Sequence, residues 1–428
     1  MRVCTTYGSP SALRPGSAMH EIRADVFGSM PKGIGKDDII TLCGRDPSIV
    51  PKDFEGLVDV GDSDIDAGFR RIRSVHDFER TPDADTIVGI LKDGTQEISK
   101  GAFAVGSLKD LHSIYLASKA LDRKHLILGM GELGKVTRIR QSLLGNEFTF
   151  GYSGESTAPG QLSSDEMESL GDDCSIIGII GNPLSHTKSP AMQDAAMRDK
   201  GINGRYLVFE TPDLEHVNDV LIEYDIRGVN VTIPYKQDII DHLDSLSRTA
   251  ESIGAVNTVM NTDGKLKGHN TDVDGIRYAV NRVIGDREYD SVLIMGSGGA
   301  ARAAVYAFTS CGKKVSVSGR NRETVSKLCG EFGISVHEGD VSGFDLIVNC
   351  TPIGLVEGDY PSDTASLNKD QTVFDMVYGR PTPLISAANR VGCRTVSGED
   401  MLLGQGAASF HSWFGQEPNI EVMRCALR

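Results

Sequence analysis

Hydrophobic positions along the chain fall into short apolar runs separated by stretches with helical patterning. In the first third the clearest runs are Leu57-Val58-Asp59-Val60 and Ile72-Arg73-Ser74-Val75, and their alternation with helical patterns predicts repeated βα units. Further runs occupy residues 175–180, 206–209, 228–232, 291–295, 314–318, 345–349 and 372–375. Runs that stay rich in Val, Ile and Leu throughout mark strands covered on both faces, which predicts parallel sheets flanked by helices. Between residues 161 and 174 the sequence turns polar and acidic, QLSSDEMESLGDDC, as an inter-domain linker would. The expected division is a first domain over 1–162, a linker over 163–174 and the remainder over 175–428.

Length supports that division, since 428 residues exceed one ordinary domain of roughly 150 and predict two or three. A composition of 39% hydrophobic and 24% charged residues is that of a globular protein, and a single Trp offers little for stacking bases. The formal charge of −15 argues against a broad phosphate-binding face, so no nucleic-acid partner is expected and an anionic ligand must meet local positive charge. Eight cysteines without a CxxC pair predict neither a zinc site nor a disulfide framework, and no metal is expected. The first residues lack a charged and then apolar leader, and no apolar run approaches the ~20 residues of a membrane helix, so a soluble, cytoplasmic protein without a membrane partner is expected.

Candidate chemistry begins where the run Ser291–Met295 enters Gly296-Ser297-Gly298-Gly299-Ala300-Ala301-Arg302. A strand, a glycine turn and a small-residue helix start let the backbone approach a pyrophosphate while the helix N-terminus stabilises its charge. Gly296, Gly298, Gly299 and Ala300 are therefore candidate cofactor contacts. The next strand ends in Gly319-Arg320-Asn321-Arg322, where an acid would hold the ribose of NAD and an arginine accommodates the 2′-phosphate of NADP. Arg320 and Asn321 thus point to NADP, while Arg322 reads equally as a solvated basic turn.

Four motifs precede this unit, each dense in polar groups at strand or loop ends: residues 181–190 (GNPLSHTKSP), 228–236 (GVNVTIPYK), 253–259 (IGAVNTV) and 268–272 (GHNTD). In the first, Ser189 suits a helix N-cap and Pro190 a first turn. Together with residues 349–354 (NCTPIG), 375–378 (DMVY) and 398–405 (GEDMLLGQ), they closely resemble the shikimate dehydrogenase family over nearly all of residues 176–428. The resemblance implies an α/β substrate domain over 175–275 plus the C-terminal helix, and a Rossmann NADP domain over 276–400. Thr187 and Ser189 would bind the substrate carboxylate, with Tyr378 nearby, and Asn230, Thr232, Asn257, Asp272 and Gln405 would hold the ring hydroxyls. Lys236 and Asp272 would be the acid–base pair that delivers a proton to the carbonyl oxygen as hydride arrives, and Thr351, Met376 and Gly398 would complete the cofactor site. Thr187 stands where the family has serine, and Gly319 where it commonly has asparagine.

In the first part, Ser74-Val75-His76-Asp77, Glu97-Ile98-Ser99-Lys100-Gly101, residues 129–138 (GMGELGKVTR) and residues 156–161 (STAPGQ) resemble type I 3-dehydroquinate dehydratase, a (β/α)8 barrel. The resemblance implies that Lys100 forms a Schiff base with the substrate ketone, after losing its proton through burial or nearby cations. His76 would be the general base and acid. Arg138 would bind the carboxylate bidentately, Gln161 with Thr157 would close the site, and Glu21, Arg23 and Arg45 would supply further polar contacts. The segment is short for a barrel of typically ~250 residues, so elements between Asp25 and Ile72 must be abbreviated. Gly61 also replaces a family glutamate that positions the histidine, and Thr157 replaces a serine.

Because the product of one activity, 3-dehydroshikimate, is the substrate of the other, the two resemblances imply one bifunctional enzyme, monomeric or homodimeric. It would convert 3-dehydroquinate to shikimate with NADPH. The alternatives are a monofunctional shikimate or quinate dehydrogenase carrying an inactive barrel, and a dinucleotide-sensing scaffold.

Overall fold

Every apolar run named above forms a strand in the computed structural model, which describes residues 1–7, 9, 19–27, 29–63, 65, 68–156, 158–285, 287–354 and 364–428. The chain divides into two compact units, residues 1–184 with 203–226 and residues 185–202 with 227–428.

The first unit is built on eight parallel strands: β1 (Val3–Tyr7), β2 (His20–Arg23), β3 (Ile39–Thr41), β4 (Leu57–Asp59), β5 (Arg70–Asp77), β6 (Ile98–Ala104), β7 (His125–Met130) and β8 (Thr149–Ser153). Strands β1 to β7 lie side by side in sequence order and β8 returns to pair with β1. The gap between β7 and β8 is spanned by Asn146, whose side chain exchanges bonds of 2.7 and 3.0 Å with the backbone of Ile127. The result is a nearly closed barrel. Alternate residues of the strands, among them Cys4, Ile39, Leu57, Ile72, Ile98, Leu128 and Phe150, pack together as one buried cluster.

The expected abbreviation is present and takes a definite form. Helices Ala84–Lys92, Leu108–Ala120, Lys135–Ile139 and Ser164–Leu170 follow β5, β6, β7 and β8, whereas among the described residues only the 3-10 turn Pro47–Ile49 lies between β1 and β5. There, loop residues such as Phe27 and Val50 pack with Ile22, Ile40 and Val58, doing the covering that helices do elsewhere. The helices after β5 and β6 are well capped: Asp83 accepts from the Thr86 amide, and Ser107 with Asp110 forms a capping box.

The segment 163–174, expected as a linker, is largely helical. Ser163 caps the helix Ser164–Leu170, which buries Met167 and Leu170 and packs on β8 and β1, so the segment covers the barrel. The same unit continues through β9 (Ser175–Gly181) and its parallel neighbour β10 (Gly204–Glu210). It also includes helix Val217–Glu223, where buried Arg140 donates to the carbonyls of Asp172, Tyr224 and Asp225 at 2.8–3.0 Å.

In the second unit the sheets are not wholly parallel. Strand β11 (Ile226–Val231) is followed by β12 (Ser245–Leu246), β13 (Thr258–Thr262) and β14 (Lys265–His269); β13 pairs antiparallel with both β11 and β14, and β12 pairs parallel with β14. The hairpin β13–β14 turns on Asp263 and Gly264, both at positive φ (51° and 78°), as a tight Asp-Gly turn requires. A second, all-parallel sheet holds β15 (Ser291–Met295), β16 (Lys314–Ser318), β17 (Ser335–Val336), β18 (Leu346–Asn349), β19 (Thr372–Asp375) and β20 (Arg394–Ser397). Their spatial order, β17-β16-β15-β18-β19-β20, is the doubly wound Rossmann order, with apolar clusters on both faces. The long helix Gly398–Phe414 lies against helix Asp272–Ile284 because glycines let them touch: a Cβ on Gly275 would stand 2.6 Å from the Met401 carbonyl. Among the described residues no helix is long and apolar enough to cross a membrane.

Candidate active sites

After β11 the chain turns through residues 232–236, closed by a bond from the Tyr235 amide to the Thr232 carbonyl (2.9 Å), and presents Lys236. Lys236 Nζ donates to Asp272 Oδ2 at 2.5 Å, and Asn257 Nδ2 donates to the other carboxylate oxygen at 2.9 Å. Asp272 opens the helix Asp272–Ile284, where the N-terminal dipole favours its charge, and its amide donates to Asn270 Oδ1 (3.1 Å). The three predicted residues Lys236, Asp272 and Asn257 therefore form one assembly, with Asp272 only 3% exposed.

Behind it lies a buried polar network only partly legible in the sequence. Ser409 Oγ bonds Thr258 and Thr271 (2.9 Å each), accepts from Asn230 Nδ2 (2.9 Å) and donates to the Gln405 carbonyl (2.9 Å). Thr271 in turn donates its amide to Asn257 Oδ1 (2.7 Å). Asn230, expected at the substrate, spends its side-chain amide on Ser409, Thr258 and the Asn257 carbonyl, so it supports Asn257 from behind. Gln405 Nε2 donates to the Leu402 carbonyl (2.9 Å). Ser189 is corrected from N-cap to first residue of the helix Ser189–Asp199: Lys188 takes the cap position, and its ammonium bonds Glu399 (3.2 Å) and the Leu427 carbonyl (3.0 Å). Thr187 Oγ1 accepts from the Ser189 amide (3.3 Å), which keeps these two hydroxyl residues together. Burial raises the phenol pKa of Tyr378, which follows β19.

The glycine turn has the shape a pyrophosphate needs. Gly296 sits at φ 118°, where a Cβ would meet Thr351, and a Cβ on Gly298 would find nothing within 4 Å. At Gly299 a Cβ would lie 2.9 Å from Lys236 Cβ, so the first residue of helix Gly299–Thr309, which also carries Ala300, touches the stem of Lys236. Asp375 organises the far wall: it accepts from Asn349 Nδ2 (2.8 Å) and the Val377 amide (3.1 Å), while Asn349 Oδ1 accepts the Thr351 hydroxyl (2.6 Å). Gly398 is required where it stands, because a Cβ would come within 2.5 Å of the Met376 carbonyl. Arg320 is exposed with no ion pair among the described residues, whereas Arg322 pairs with Glu338 (3.3 Å). Asn321, expected at the cofactor, caps helix Arg322–Phe332 by accepting from the Glu323 and Thr324 amides. These features fit a dinucleotide with its extra phosphate near Arg320.

Inside the barrel, Lys100 Nζ lies 3.2 Å from Asp59 Oδ2 and 4.3 Å from the centre of the Phe150 ring. Asp59 also accepts from Ser74 Oγ (2.6 Å) and the Gly61 amide (3.0 Å). Burial disfavours the Lys100 ammonium, but Asp59 and then Glu21 outweigh it and hold Lys100 above its usual pKa, contrary to the expected loss of its proton. Asp59 was missed; its one signal was an acid inside an otherwise apolar strand. Glu21 is fixed by the hydroxyls of Thr6 (2.5 Å) and Thr41 (2.7 Å). His76 is two strand positions beyond Ser74, stacked on Phe78, and desolvation and then the Lys100 ammonium hold its imidazole below the usual range.

The cations expected there are not all gathered. Arg23 makes a two-pronged pair with Asp25 (2.7 and 3.1 Å), which holds that carboxyl down to about 2. Arg45 is exposed. Arg138 is 3% exposed, its Nε has no hydrogen-bond partner among the described residues, and burial pushes its guanidinium down to about 10. Gln161 is buried in a loop set by Gly160, and Thr157 lies outside the described residues.

A doubly wound sheet with a lysine–aspartate pair against its glycine loop defines a dinucleotide-dependent oxidoreductase, carried here behind a barrel with a buried lysine. Residues 179–259 match the family model "Shikimate dehydrogenase substrate binding domain", residues 398–428 "Shikimate 5'-dehydrogenase C-terminal domain" and residues 59–172 "Type I 3-dehydroquinase". Shikimate dehydrogenase (NADP(+)) of Methanocaldococcus jannaschii is 38% identical over 274 residues, which is 59% of this chain and 95% of that one. Among solved structures, shikimate dehydrogenase of Aquifex aeolicus (35% identity, 60% of this chain, 98% of that chain) superposes with a TM-score of 0.58. The Thermus thermophilus enzyme in complex with NADP(H) and shikimate (34%, 59% and 98%) superposes with a TM-score of 0.55. The chain belongs to the shikimate dehydrogenase family, with a type I 3-dehydroquinase segment ahead of it.

Proposed function

We propose that this chain carries out two consecutive steps of the shikimate pathway, dehydrating 3-dehydroquinate in the barrel and reducing 3-dehydroshikimate to shikimate with NADPH in the second unit. The observation that carries the reading is the Lys236–Asp272 pair, with the lysine stem packed on the first residue of the glycine-loop helix. NADPH, when bound, supplies the hydride. Lys236, oriented by Asp272, points its ammonium at the substrate carbonyl and gives it a proton, since an alkoxide forming in a water-poor site is costly without a donor already aimed at it. Thr187 and Ser189, with Tyr378, take the carboxylate; Thr232, Asn257 and Gln405 hold the hydroxyls, with Asn230 bracing Asn257. Gly296, Gly298, Gly299, Ala300, Thr351, Met376 and Gly398 line the cofactor, and Arg320, beside Asn321, meets its 2′-phosphate.

In the barrel, Lys100 attacks the ketone of 3-dehydroquinate, whose oxygen leaves as water to give a Schiff base; His76 removes the α-proton and returns a proton to the departing hydroxyl, which leaves as a second water, and hydrolysis of the imine frees 3-dehydroshikimate and Lys100. Arg138 takes the carboxylate; a wholly buried guanidinium whose Nε lacks a partner favours an incoming anion. Glu21, Thr157 and Gln161 complete this site, whereas Arg23 is engaged by Asp25 and Arg45 is exposed. The reading is tested by supplying 3-dehydroquinate with NADPH to the full-length protein and following cofactor oxidation. Oxidation with 3-dehydroshikimate but not with 3-dehydroquinate would leave a monofunctional dehydrogenase with a structural barrel, the reading that the Lys100–Asp59 ion pair would then explain. Comparing shikimate with quinate in the oxidative direction decides between those two alcohols.

A further inference from the structure

We propose that His112, His216 and Asp219 form a divalent transition-metal site, with zinc the ion that best fits their donors, using residues that neither reaction above requires. His112 lies on helix Leu108–Ala120, and His216 and Asp219 stand at the start of helix Val217–Glu223, so the donors lie about a hundred positions apart in sequence and no local motif announces them. One ligand atom from each of the three lies within 4.8 Å of the others. The two imidazoles are stacked, centroids 4.2 Å apart and 14° from parallel. His216 takes the left-handed backbone conformation (φ 64°), uncommon for a residue with a side chain, and in it the ring faces His112.

The surroundings are those of a metal site. His112 Nδ1 lies 2.9 and 3.1 Å from the two oxygens of Glu223, so a carboxylate holds one ring nitrogen and leaves the other to act as ligand, the arrangement that orients metal-bound histidines. His216 Nδ1 lies 2.8 Å from Asp219 Oδ2, and its Nε2 lies 3.6 Å from Glu215. Three carboxylates, Glu215, Asp219 and Glu223, face one ammonium, Lys109, which pairs with Glu215 at 3.3 Å. The three carboxylates outnumber that ammonium, an excess of negative charge that a dication offsets. Imidazole nitrogen with carboxylate oxygen suits zinc better than the hard oxygen-seeking ions. Tetrahedral bonds of ~2.1 Å set ligand atoms ~3.4 Å apart, so the widest separation in the cluster, 4.8 Å, must close by about 1.4 Å. Rotation of Asp219, whose side chain is 49% exposed, has the room to do so.

The test uses full-length protein without an affinity tag, freed of metal by chelator, and titrates it with Co2+ and then Zn2+. The expected result is saturation near one equivalent, with visible ligand-field absorption from Co2+, and a rise in melting temperature with Zn2+ by mass action. His112→Ala and His216→Ala should each weaken binding about tenfold or more. Asp219→Asn, at a half-exposed position where folding is not at stake, should weaken it as well. Wild-type protein that never saturates, or an affinity unchanged in Asp219→Asn or in the double histidine variant, would overturn the site. Retained reduction of 3-dehydroshikimate reports that each variant is folded.

Discussion

Lys100 Nζ and Asp59 Oδ2 lie 3.2 Å apart in a barrel interior that leaves their side chains 8% and 1% exposed. Attack on a ketone needs the neutral amine, and the carboxylates of Asp59 and Glu21 hold the ammonium above its usual range. Dehydratase kcat/KM should therefore keep rising with pH into the alkaline region. Asp59→Asn removes the largest opposing charge, lowers the Lys100 pKa and should move that rise to lower pH. A profile that stays in place would detach Asp59 from the chemistry. Borohydride with 3-dehydroquinate should leave a mass adduct on Lys100, absent in Lys100→Ala.

Lys236→Ala should lower kcat for 3-dehydroshikimate reduction by roughly 10²–10⁴, the usual contribution of a positioned proton donor. NADPH affinity, read by the fluorescence of the bound cofactor, should change little, because the variant keeps Gly296, Gly298 and Arg320. Equal losses in turnover and cofactor binding would contradict the role.

Arg320→Ala should raise the KM for NADPH about tenfold to a hundredfold, the strength of a charge-assisted phosphate contact, while leaving NADH kinetics nearly unchanged. Arg322 already pairs with Glu338, so Arg322→Ala should leave both close to wild type. Steady-state kinetics with the two cofactors separates these outcomes.

Gly160 sits at φ 73°, and a Cβ there would come 2.0 Å from the Gly131 carbonyl. Gly160→Ala should cost about 2–4 kcal/mol from the left-handed backbone and the clash together. Gly171, at φ 64° and ψ −175° with nothing within 4 Å, isolates the cost of a glycine-only backbone, and Gly171→Ala should cost about 1–3 kcal/mol. Denaturant melts of the two variants measure the difference.

The dehydrogenase site was legible because its residues fall in local motifs: Lys236 and Asp272 each end a short polar run, and the glycine turn joins a strand to a helix. Asp59 and Ser409 were not, since each acts through partners more than 40 and more than 130 positions away and sits alone in an apolar stretch. The antiparallel hairpin left a signal, Asp263-Gly264, that outranks the apolar runs around it. Residues 163–174 read as a linker through composition, because acidic residues on the outer face of a helix leave the same signature. Ser163 followed three residues later by Glu166, ahead of Met167 and Leu170, carried the opposite message.

That the described residues of the barrel's first half form no α-helix affects how the protein breathes. Where Phe27 and Val50 stand in for helices, the cover over β2, β3 and β4 is loop backbone, whereas β6 and β7 are overlaid by helices. Local opening should therefore start at β2–β4, and their amides should exchange with deuterium before those of β6 and β7. Glu21 lies on the early-opening side and Lys100 on the late one, so the first fluctuations to reach this site should leave the lysine in place and release the carboxylate that helps to hold it protonated.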